Sequence, residues 1–411
     1  MKTNAVLYVS YDGMTDSLGQ SQVLPYLCGL SANYNIHLIS FEKKERFAKY
    51  EQTIREICSK HQITWHPLFY TKNPPVFSTV YDVFKLFRFA KQLDRIEHFD
   101  LVHCRSYISA LLGLSFKRKQ NKKFLFDMRG FWADERVDGG VWNLKNPLFK
   151  FVYSYFKRKE KQFLQESDAV VSLTENGKNE MLKWNIADLT NDKISVIPCC
   201  VDLGKFNCGS IDESFKQQIR KKQGLTENDY VLGYVGSIGT WYMLPEMLDY
   251  FKALLLIKPN AKFFFVTSGS GDFIRQIASR KGINTENIIV DSCLHQHVAS
   301  YISLFNHAVF FILPTFSKKA SSPTKQGELM AMGIPVVCNS GVGDTDFVIH
   351  SFNSGALLTE FQEESYLQIA QKMIDNTFDK EMMIQGAQSF FGLQQGISNY
   401  QTIYKKVLQH D

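Results

Sequence analysis

The chain has 411 residues, of which 45% are hydrophobic and 21% charged, and its formal net charge is +6. This length excludes a single small core and predicts two domains of roughly 200 residues each. The charge is uneven, because residues 1–206 carry 30 lysines and arginines against 22 carboxylates, whereas the remaining residues carry 17 against 19. We therefore expect the first half, if either, to meet an anionic surface.

The apolar run AVLYVSYD at residues 5–12 predicts the first strand. The amino terminus lacks the apolar core of a signal peptide and no run reaches the length of a membrane span, so we expect a soluble protein, at most peripheral to a membrane. The loop GMTDSLGQSQ and a helical pattern follow, an order in which open α/β sheets present backbone N–H groups to ligands. Asp12, Gly13 and Gly19 are therefore candidates, although the glycine spacing matches neither GxGxxG nor a P-loop.

Further strands are predicted at NIHLISFE (35–42) and ITWHPLFY, with a helix over 81–95. The next strand, FDLVHCRSY (99–107), ends in polar residues at the edge where open α/β sheets place their ligands. His103, Arg105 and Ser106 are candidates for this reason. A structural role for His103 remains the alternative.

The run KKFLFDMRGFWADERVDGG (122–140) is the densest polar cluster of the first half. We interpret it as a strand followed by a glycine-rich loop in which charged side chains surround two aromatic rings. This combination favours a sugar or polyol site, where hydroxyls are paired and a ring face is stacked. The alternative is a structural salt-bridge loop. The candidates are Asp127, Arg129, Trp132, Asp134 and Glu135.

Two segments combine basic and aromatic residues, KRKQNKK (117–123) and FKFVYSYFKRKEKQF (149–163). If the second is helical, Phe149, Val152, Phe156 and Phe163 lie on or near one side and lysines on the other. Such a helix suits anionic lipid head groups, and a domain helix with a solvated face is the alternative. Nucleic acid is not an expected partner, because no known nucleic-acid-binding signature accompanies the charge.

Strands alternate with helices through both halves, with glycine loops after YVLGYV and AKFFFV in the second. The fold class predicted is therefore α/β, with two Rossmann-like domains facing across a cleft. We place the first domain at 1–206, the second at 207–390, and a C-terminal helix packing on the first domain at 391–411. Eight cysteines without a CxxC pair indicate a reduced, cytoplasmic protein.

The stretch 321–345, SSPTKQGELMAMGIPVVCNSGVGDT, predicts a short helix ended by Gly333 and then a buried strand. Ser322, Pro323 and Thr324 supply first-turn chemistry that leaves N–H groups for an anion. Lys325 and Glu328, three residues apart, share a helix face and would suit a diphosphate followed by a ribose diol. An ordinary surface helix with an ion pair is the alternative.

The order of these motifs resembles the GT-B glycosyltransferases, specifically retaining enzymes of glycosyltransferase family 4. The resemblance covers nearly the whole chain and is carried by SDAVVSLTE, VIPCCVDLGKF, YVGSIG, TSGSG and, most specifically, PTKQGELMAMGIPVV. It implies transfer of a sugar from a UDP- or GDP-sugar to a glycan or lipid-linked acceptor in surface polysaccharide assembly. Because the sequence shows no metal-ligand cluster, we expect no metal or other cofactor. A cytoplasmic location is expected from the cysteines, and contact with the inner face of the membrane is expected from the basic first half.

The resemblance implies that Glu328 binds the ribose hydroxyls and that Lys325 faces the diphosphate. Arg129 stands where the family usually has a histidine, and with Lys325 and Glu328 it completes the predicted catalytic set. Donor binding is predicted for Gly13, Gly19, Gly236, Ser237, Gly239, Ser268, Gly269, Ser322, Pro323, Thr324, Lys325 and Glu328. Acceptor binding is predicted for Asp12, His103, Arg105, Asp127, Arg129, Trp132, Asp134 and Glu135.

The chain departs from the family at two further places. Ala320 occupies the position of the first acidic residue of the family's E-x7-E motif, and no cation follows Gly236 in the second-domain loop. A catalytically silent protein that binds a nucleotide-sugar or glycan at a membrane is therefore an alternative. A two-lobed oxidoreductase is disfavoured, because no GxGxxG follows a strand with an acidic residue about 20 positions on.

Overall fold

The structure is a computed structural model that describes residues 4–409. The ends of the predicted first domain and of the predicted C-terminal helix, residues 1–3 and 410–411, lie outside the described residues, as does the start of the segment assessed for a signal peptide. The chain forms two compact units, residues 1–198 with 393–411, and residues 199–392. The division falls at Pro198, before the boundary predicted between residues 206 and 207, which lies inside the second unit.

The first unit is a parallel sheet covered by helices. Its strands are β1 (Ala5–Ser10), β2 (Asn35–Glu42), β3 (Ile63–Phe69), β4 (Leu101–Arg105), β5 (Lys123–Asp127), β6 (Ala169–Ser172) and β7 (Ile194–Val196). Its helices are α1 (Ser17–Gln22), α2 (Leu24–Leu30), α3 (Lys44–Lys60), α4 (Phe77–Glu97), α5 (Ser106–Gln120), α6 (Trp132–Asp138), α7 (Pro147–Glu166) and α8 (Glu175–Leu182), joined by the C-terminal helix α17 (Leu393–Leu408).

The strand order in this unit is β3-β2-β1-β4-β5-β6-β7, and every pairing is parallel. The chain therefore reverses its direction of winding between β1 and β4, the place where open α/β sheets bind ligands. Helix α17 packs against α2, with Tyr400 and Tyr404 in edge-to-face contact with Tyr26 and Tyr34. The ends of β1 and β4 thus mark the edge of the first unit at which a ligand is expected.

The glycine-rich loop predicted after β5 is wrong in part, because residues 132–138 form helix α6. Its charged residues resemble a connector in the sequence, but Ala133 and Asp134 are buried and the Trp132 ring packs against other aromatic rings. The predicted loop after β1 likewise contains helix α1. Helix α4 begins at Phe77, four residues before the predicted start at Tyr81, and ends two residues after the predicted end at Arg95.

The second unit repeats the plan with six strands. These are β8 (Val231–Val235), β9 (Lys262–Val266), β10 (Ile288–Asp291), β11 (His307–Phe310), β12 (Val336–Asn339) and β13 (Gly355–Leu358). The helices are α9 (Glu213–Gln223), α10 (Leu244–Ile257), α11 (Gly271–Arg280), α12 (Val298–Ile302), α13 (Thr324–Ala331), α14 (Thr345–Phe352), α15 (Glu363–Asp375) and α16 (Lys380–Phe391).

The second sheet has the order β10-β9-β8-β11-β12-β13 and its winding reverses between β8 and β11. Its core strands are almost wholly apolar, as expected for a sheet buried on both faces. The α/β prediction of two Rossmann-like domains is confirmed. No helix in the part of the chain that the structure describes is long and apolar enough to cross a membrane.

Candidate functional site

Lys325 lies in the first turn of α13 with only 8% of its surface exposed. Its ammonium donates to the Tyr234 hydroxyl at 3.2 Å and lies 3.7 Å from the centre of the Tyr242 ring and 4.3 Å from that of Tyr234. Aromatic faces attract a cation but do not neutralise it. The structure thus places the buried ammonium of Lys325 beside the carboxyl end of β8 in the second sheet.

The loop after β8 is tied to this ammonium. Gly236 has a φ of +123°, and a Cβ built on it would lie 3.0 Å from the Lys325 Nζ atom. A side chain there would therefore suffer backbone strain and crowd the cation. Tyr234 donates its hydroxyl proton to the Ser237 carbonyl at 2.6 Å. The structure brings together Gly236, Ser237 and Lys325, which the sequence predicted separately as donor-binding residues.

Glu328 follows one turn later, with its side chain 12% exposed. Burial raises the pKa of Glu328 to about 7, against the opposing attraction of Lys325. Burial likewise lowers the pKa of Lys325 to about 7, with the Glu328 charge opposing the shift. The His295 ring lies 3.9 Å from the Glu328 carboxylate, and burial lowers the pKa of this imidazole. An anion near Lys325 would favour its charged form.

A second lysine accompanies the site and was missed in the sequence. Lys318, in a one-turn segment before α13, is 5% exposed and its ammonium lies 3.6 Å from the centre of the Trp241 ring. The backbone carbonyl of Lys318 accepts from Gly343. The only signal in the sequence was an adjacent pair of lysines just before the donor stretch. The loop after β8 contains no lysine or arginine, but its Trp241 and Tyr242 rings contact the ammonium groups of Lys318 and Lys325.

The remaining predicted donor residues lie along the same edge of the second sheet. Gly239 is exposed with open space at its Cβ position, and Gly269 packs close to Ile238 of the β8 loop. Ser268 is exposed after β9. Loops after β8 and β9 therefore meet beside the Lys325 site.

Three predicted residues precede or begin α13. Pro323 is the N-cap residue, and no side-chain hydroxyl caps the helix. Ser322 instead accepts from the Cys199 N–H at 3.1 Å. Thr324 is the first helical residue and is half-buried. The segment before α13 is thus bound through Ser322 to Cys199, the first residue of the second unit.

The first unit gathers five of the predicted acceptor residues at the edge formed by β1, β4 and β5. Asp127 is 1% exposed and accepts from the Tyr400 hydroxyl at 2.9 Å. Burial alone would raise the pKa of Asp127, but the charge of Arg129, followed by the interaction with His103 and the charge of Arg105, outweighs it and holds this pKa below its ordinary value. The Arg129 Nη1 atom lies 3.9 Å from the Asp127 Oδ1 atom. Asp12 lies 3.5 Å from Arg105, measured from carboxylate oxygen to Nε.

His103 is enclosed in this cluster rather than presented to solvent. Its Nδ1 atom lies 2.7 Å from the Tyr404 hydroxyl and its Nε2 atom 3.5 Å from Asp127. Burial is the main reason why the pKa of His103 lies below its ordinary value. These contacts agree with a structural role for His103, which was the alternative interpretation, because α17 supplies Tyr404 as its partner. Neither Tyr400 nor Tyr404 could be assigned to the site from the sequence.

The other three predicted acceptor residues lie in α6. The Trp132 ring packs against Tyr107, Trp142 and Phe156, so it is part of an interior aromatic cluster. Asp134 accepts from Tyr153 and Lys157 of α7, both at 2.8 Å. Glu135 is half-buried in the same helix. The structure therefore gives Asp134 the structural salt bridge that was the alternative interpretation of this segment.

The glycine loop after β1 is filled from inside by a carboxylate. Glu42 is fully buried and accepts from the N–H groups of Met14 and Thr15 at 2.7 and 3.1 Å. A Cβ on Gly13 would lie 2.7 Å from the Glu42 Oε2 atom, and one on Gly19 would lie 2.2 Å from the Gly13 carbonyl oxygen. Both glycines are therefore needed for close packing. The amides expected to assist a donor already bind this internal anion.

The arrangement in the second unit suits an anionic ligand with a polar diol beside it. A helix amino terminus, a desolvated ammonium and a carboxylate one turn later lie in that order along α13. Among residues 4–409 no group of three or more His, Cys, Asp or Glu side chains is arranged to hold a metal ion.

Two family models match the chain in succession. Residues 27–205 match the model described as Glycosyltransferase Family 4, and residues 215–390 match the model described as Glycosyl transferases group 1. The capsular polysaccharide biosynthesis glycosyltransferase CapM of Staphylococcus aureus is 22% identical over 240 residues. That match spans 56% of this chain and 57% of CapM, little more than half of either protein.

Solved structures of similar fold cover the whole chain. Sucrose-phosphate synthase from Thermosynechococcus elongatus is 13% identical and aligns over 100% of both chains, with a TM-score of 0.70. Anabaena HepE, solved in complex with UDP-glucose, is 14% identical and aligns over 98% of this chain and 99% of its own, also with a TM-score of 0.70. At these identities the likeness establishes the fold.

Proposed function

Because the chain belongs to the GT-B glycosyltransferases of the family 4 type, we propose that it moves a hexose from a UDP- or GDP-sugar to a hydroxyl of a glycan or lipid-linked acceptor. Surface polysaccharide assembly is the proposed process, supported by the partial similarity to CapM. A nucleotide-sugar donor is supported by HepE, which was solved with UDP-glucose. The observation that carries the proposal is the buried Lys325 ammonium bound to the Tyr234 hydroxyl beside Gly236, with Glu328 one turn away.

Lys325 is proposed to face the diphosphate and Glu328 to accept from the ribose hydroxyls. When the glycosyl–phosphate bond breaks, negative charge grows on the leaving nucleoside diphosphate while the sugar becomes oxocarbenium-like. A preorganised, desolvated cation stabilises this charge more than an exposed one, because little solvent screens it. The transfer is proposed to need no divalent metal, since Lys325 supplies positive charge where the leaving group forms.

The transfer is proposed to retain the anomeric configuration. The acceptor hydroxyl would attack from the face that the diphosphate leaves, and the departing phosphate oxygen would take the hydroxyl proton. A cytoplasmic location is proposed as well. It is supported by the cysteines, among which the structure forms no disulfide within the described residues.

A thermal-shift screen of UDP, GDP, ADP and their sugars tests the proposal, because a ligand that binds only the folded state raises its melting temperature. We expect one nucleotide series to raise it and Glu328→Ala to abolish that rise. The matched control is Glu364→Ala, an exposed carboxylate on α15. A shift that survives Glu328→Ala unchanged would refute the ribose assignment.

Turnover of the stabilising donor then separates an enzyme from a silent binding protein. Purified protein should release nucleoside diphosphate from the sugar donor when acceptor glycans or lipid-linked acceptors are supplied. Binding without any release, with every acceptor class, would identify a protein that holds nucleotide-sugars but does not transfer them.

A further inference from the structure

Helix α5 begins at the carboxyl end of β4, beside the point where the winding of the first sheet reverses. The helix has 15 residues, and its first turn contains no acidic residue. Its N-cap residue is Arg105, whose side chain has no acceptor atom and cannot cap the N–H groups of the first turn. Such N–H groups carry partial positive charge and favour an anion. The first turn of α5 therefore offers an anion site at the edge where a ligand is expected.

The Arg105 guanidinium adds a buried charge at this helix end. Only 4% of Arg105 is exposed, and its buried Nε and Nη1 atoms have no hydrogen-bond partner within residues 4–409. Asp12 forms an ion pair with the Nε atom at 3.5 Å but no hydrogen bond. A guanidinium has five N–H donors, and leaving buried donors unused costs free energy. A negatively charged ligand would use them.

The buried charges around Arg105 do not cancel. Arg129, with a side chain 7% exposed, adds a second guanidinium, and the buried carboxylate of Asp127 balances one of the two. His103 adds no charge near neutral pH, because burial lowers its pKa. The Asp12 side chain is 46% exposed, so water screens its charge. The buried part of this cluster therefore keeps one positive charge in excess.

The backbone at this edge adopts a conformation that residues other than glycine rarely adopt. Ser106, the first residue of α5, has a φ of +64°, and Arg129, two residues after β5, has a φ of +54°. A left-handed conformation at such residues costs free energy, and it is concentrated at functional sites. The rest of the first unit therefore holds the residue after Arg105 and the second guanidinium in place against this cost.

The neighbouring loop after β1 offers no equivalent site. Its Met14 and Thr15 N–H groups already donate to the buried Glu42 carboxylate. The Asp127 carboxylate on the next strand accepts from Tyr400. Since the first turn of α5 contains no acidic residue, the comparison favours α5 as the place for an external anion.

We propose that the first turn of α5 and the Arg105 guanidinium bind an anionic group of the acceptor, a carboxylate or a phosphate carried by a sugar. The planar guanidinium matches two oxygens of either group, and charge-assisted hydrogen bonds are about twice as strong as neutral ones. Sugar hydroxyls alone would leave the excess positive charge unpaired. The inference rests on the proposed transfer reaction, and it deepens that proposal because it names the chemical class of the acceptor.

Asp12 competes with this anion in the free protein. Its half-exposed carboxylate lies 3.5 Å from the Arg105 Nε atom without a hydrogen bond, so a ligand oxygen that does form hydrogen bonds displaces it. Removing the charge of Asp12 should therefore tighten anion binding, whereas removing the guanidinium should weaken it. These opposite effects distinguish a site for an anionic ligand from a structural ion pair.

Isothermal titration of the full chain with three sugars, in the absence of nucleotide, tests the proposal. Glucuronic acid carries a carboxylate, glucose 6-phosphate carries a phosphate, and glucose is the matched neutral sugar. We expect at least one charged sugar to bind at least about tenfold more tightly than glucose. The tighter of the two charged sugars identifies the anion. Equal affinity for all three, or no binding of either charged sugar, would overturn the proposal.

Substitutions at the two ends of the ion pair map the site. Arg105→Gln should weaken binding of the charged sugar at least about tenfold, and Asp12→Asn should strengthen it about threefold or more. Arg88→Gln, which removes an exposed cation of α4, is the matched control and should leave the affinity unchanged. Charged-sugar binding that survives Arg105→Gln would refute the proposal. Because Asp12 is half-exposed, Asp12→Asn keeps the test decisive if Arg105→Gln does not fold, and weaker or unchanged binding in that variant would also refute it.

The nucleotide-induced rise in melting temperature separates this site from the donor site. The rise should be the same in Arg105→Gln and in the parent chain. If Arg105→Gln abolishes it, the arginine binds the donor and the acceptor assignment is wrong, while the proposed nucleotide-sugar donor stands.

Release of nucleoside diphosphate connects the anion with the acceptor. Release should be faster with glycans that end in the bound charged sugar than with their neutral counterparts, and equal rates would overturn the assignment. A chain that releases nucleoside diphosphate with no acceptor would contradict the proposed transfer, and the sugar titrations, which need no donor, would still decide whether the anion site exists.

Discussion

Lys325 and Tyr234 are joined by a hydrogen bond of 3.2 Å, in which the ammonium donates to the phenol oxygen. The phenol in turn donates to the Ser237 carbonyl, so one side chain of β8 ties the cation of α13 to the loop that follows β8. Strand β8 and strand β11, the strand that precedes α13, are neighbours in the second sheet, and the direction of winding reverses between them. A charge held by a strand residue needs little rearrangement when a ligand arrives.

Lys325→Met should abolish nucleotide binding while stabilising the free protein. Burial of an ammonium without a paired anion costs free energy, and methionine fills similar space without charge. The expected gain in the free energy of unfolding near neutral pH is on the order of 1–2 kcal/mol. Thermal melts with and without the stabilising nucleotide measure both effects.

The comparison for this variant is Lys258→Met, which removes an exposed lysine after α10. It should change neither stability nor nucleotide binding. A Lys325→Met protein that is less stable than the parent and still binds nucleotide would show that the ammonium is a structural cation.

Nucleotide affinity should fall as the pH rises above about 7. Burial lowers the pKa of Lys325 from 10.5 to about 7 in the free protein, and a bound diphosphate would raise it again. Binding above neutral pH therefore takes up a proton, with a limit of about tenfold in affinity for each pH unit. Isothermal titration in buffers of different ionisation enthalpy measures this uptake directly. Proton release above neutral pH would contradict the assignment.

The stability of the free protein should depend on pH through the ionisation of Glu328 and Lys325. The pKa of Glu328 rises from 4.5 to about 7 in the folded state. Between these two pH values the unfolded chain has released this proton while the folded chain still keeps it, so the free energy of unfolding falls as the pH rises. For Lys325 the unfolded chain keeps its proton longer, so that free energy rises between about 7 and 10.5. Urea melts across this range should show that the free energy of unfolding has a minimum near neutral pH. In Lys325→Met the rise of this free energy above neutral pH should be smaller.

Glu42→Gln should destabilise the first unit without weakening nucleotide binding. The carboxylate accepts from two backbone N–H groups and from the Thr15 and Ser40 hydroxyls, and an amide nitrogen in its place cannot accept from them. The expected loss is about 2–4 kcal/mol in the free energy of unfolding. Glu45→Gln, in the first turn of α3, is the matched exposed control. Weaker nucleotide binding with unchanged stability would instead support donor contact by the Gly13 to Gly19 loop.

The regular elements could be predicted because their chemistry is local. Runs such as NIHLISFE form β2 at the expected residues, and Thr174 caps α8 by accepting from the Gly177 N–H at 2.9 Å. Gly333 ends α13 with a φ of +64°, as its place after the helical run indicated. In each case the deciding contact lies within a few residues along the chain.

The interior partners could not be predicted, because they come from distant segments. Tyr400 reaches Asp127 across 273 positions, and Glu42 fills a loop that begins 29 residues before it. In α6, the charges suggested an exposed loop, but Asp134 is neutralised by Lys157 of the next helix. A polar run is read as exposed unless its partners are known, and nothing in a single sequence identifies them.

Arg129 stays a prediction as a catalytic residue, and its backbone offers a way to test it. Its φ of +54° lies in the left-handed region, where glycine costs least, so Arg129→Gly removes the guanidinium without backbone strain. The variant also leaves Asp127 without the largest of the charges that lower its pKa. We therefore expect a loss of stability near neutral pH, because a buried carboxylate loses its compensation.

Adding Asp127→Asn to Arg129→Gly separates structure from chemistry. The double variant removes both charges, so its stability should recover most of the loss, while turnover should remain at least about a hundredfold below that of the parent chain. Asp127→Asn alone gives the fourth corner of the cycle. Melting temperatures and the rate of nucleoside diphosphate release are measured on all four proteins. Turnover that recovers together with stability would show that Arg129 acts only by holding Asp127 in place.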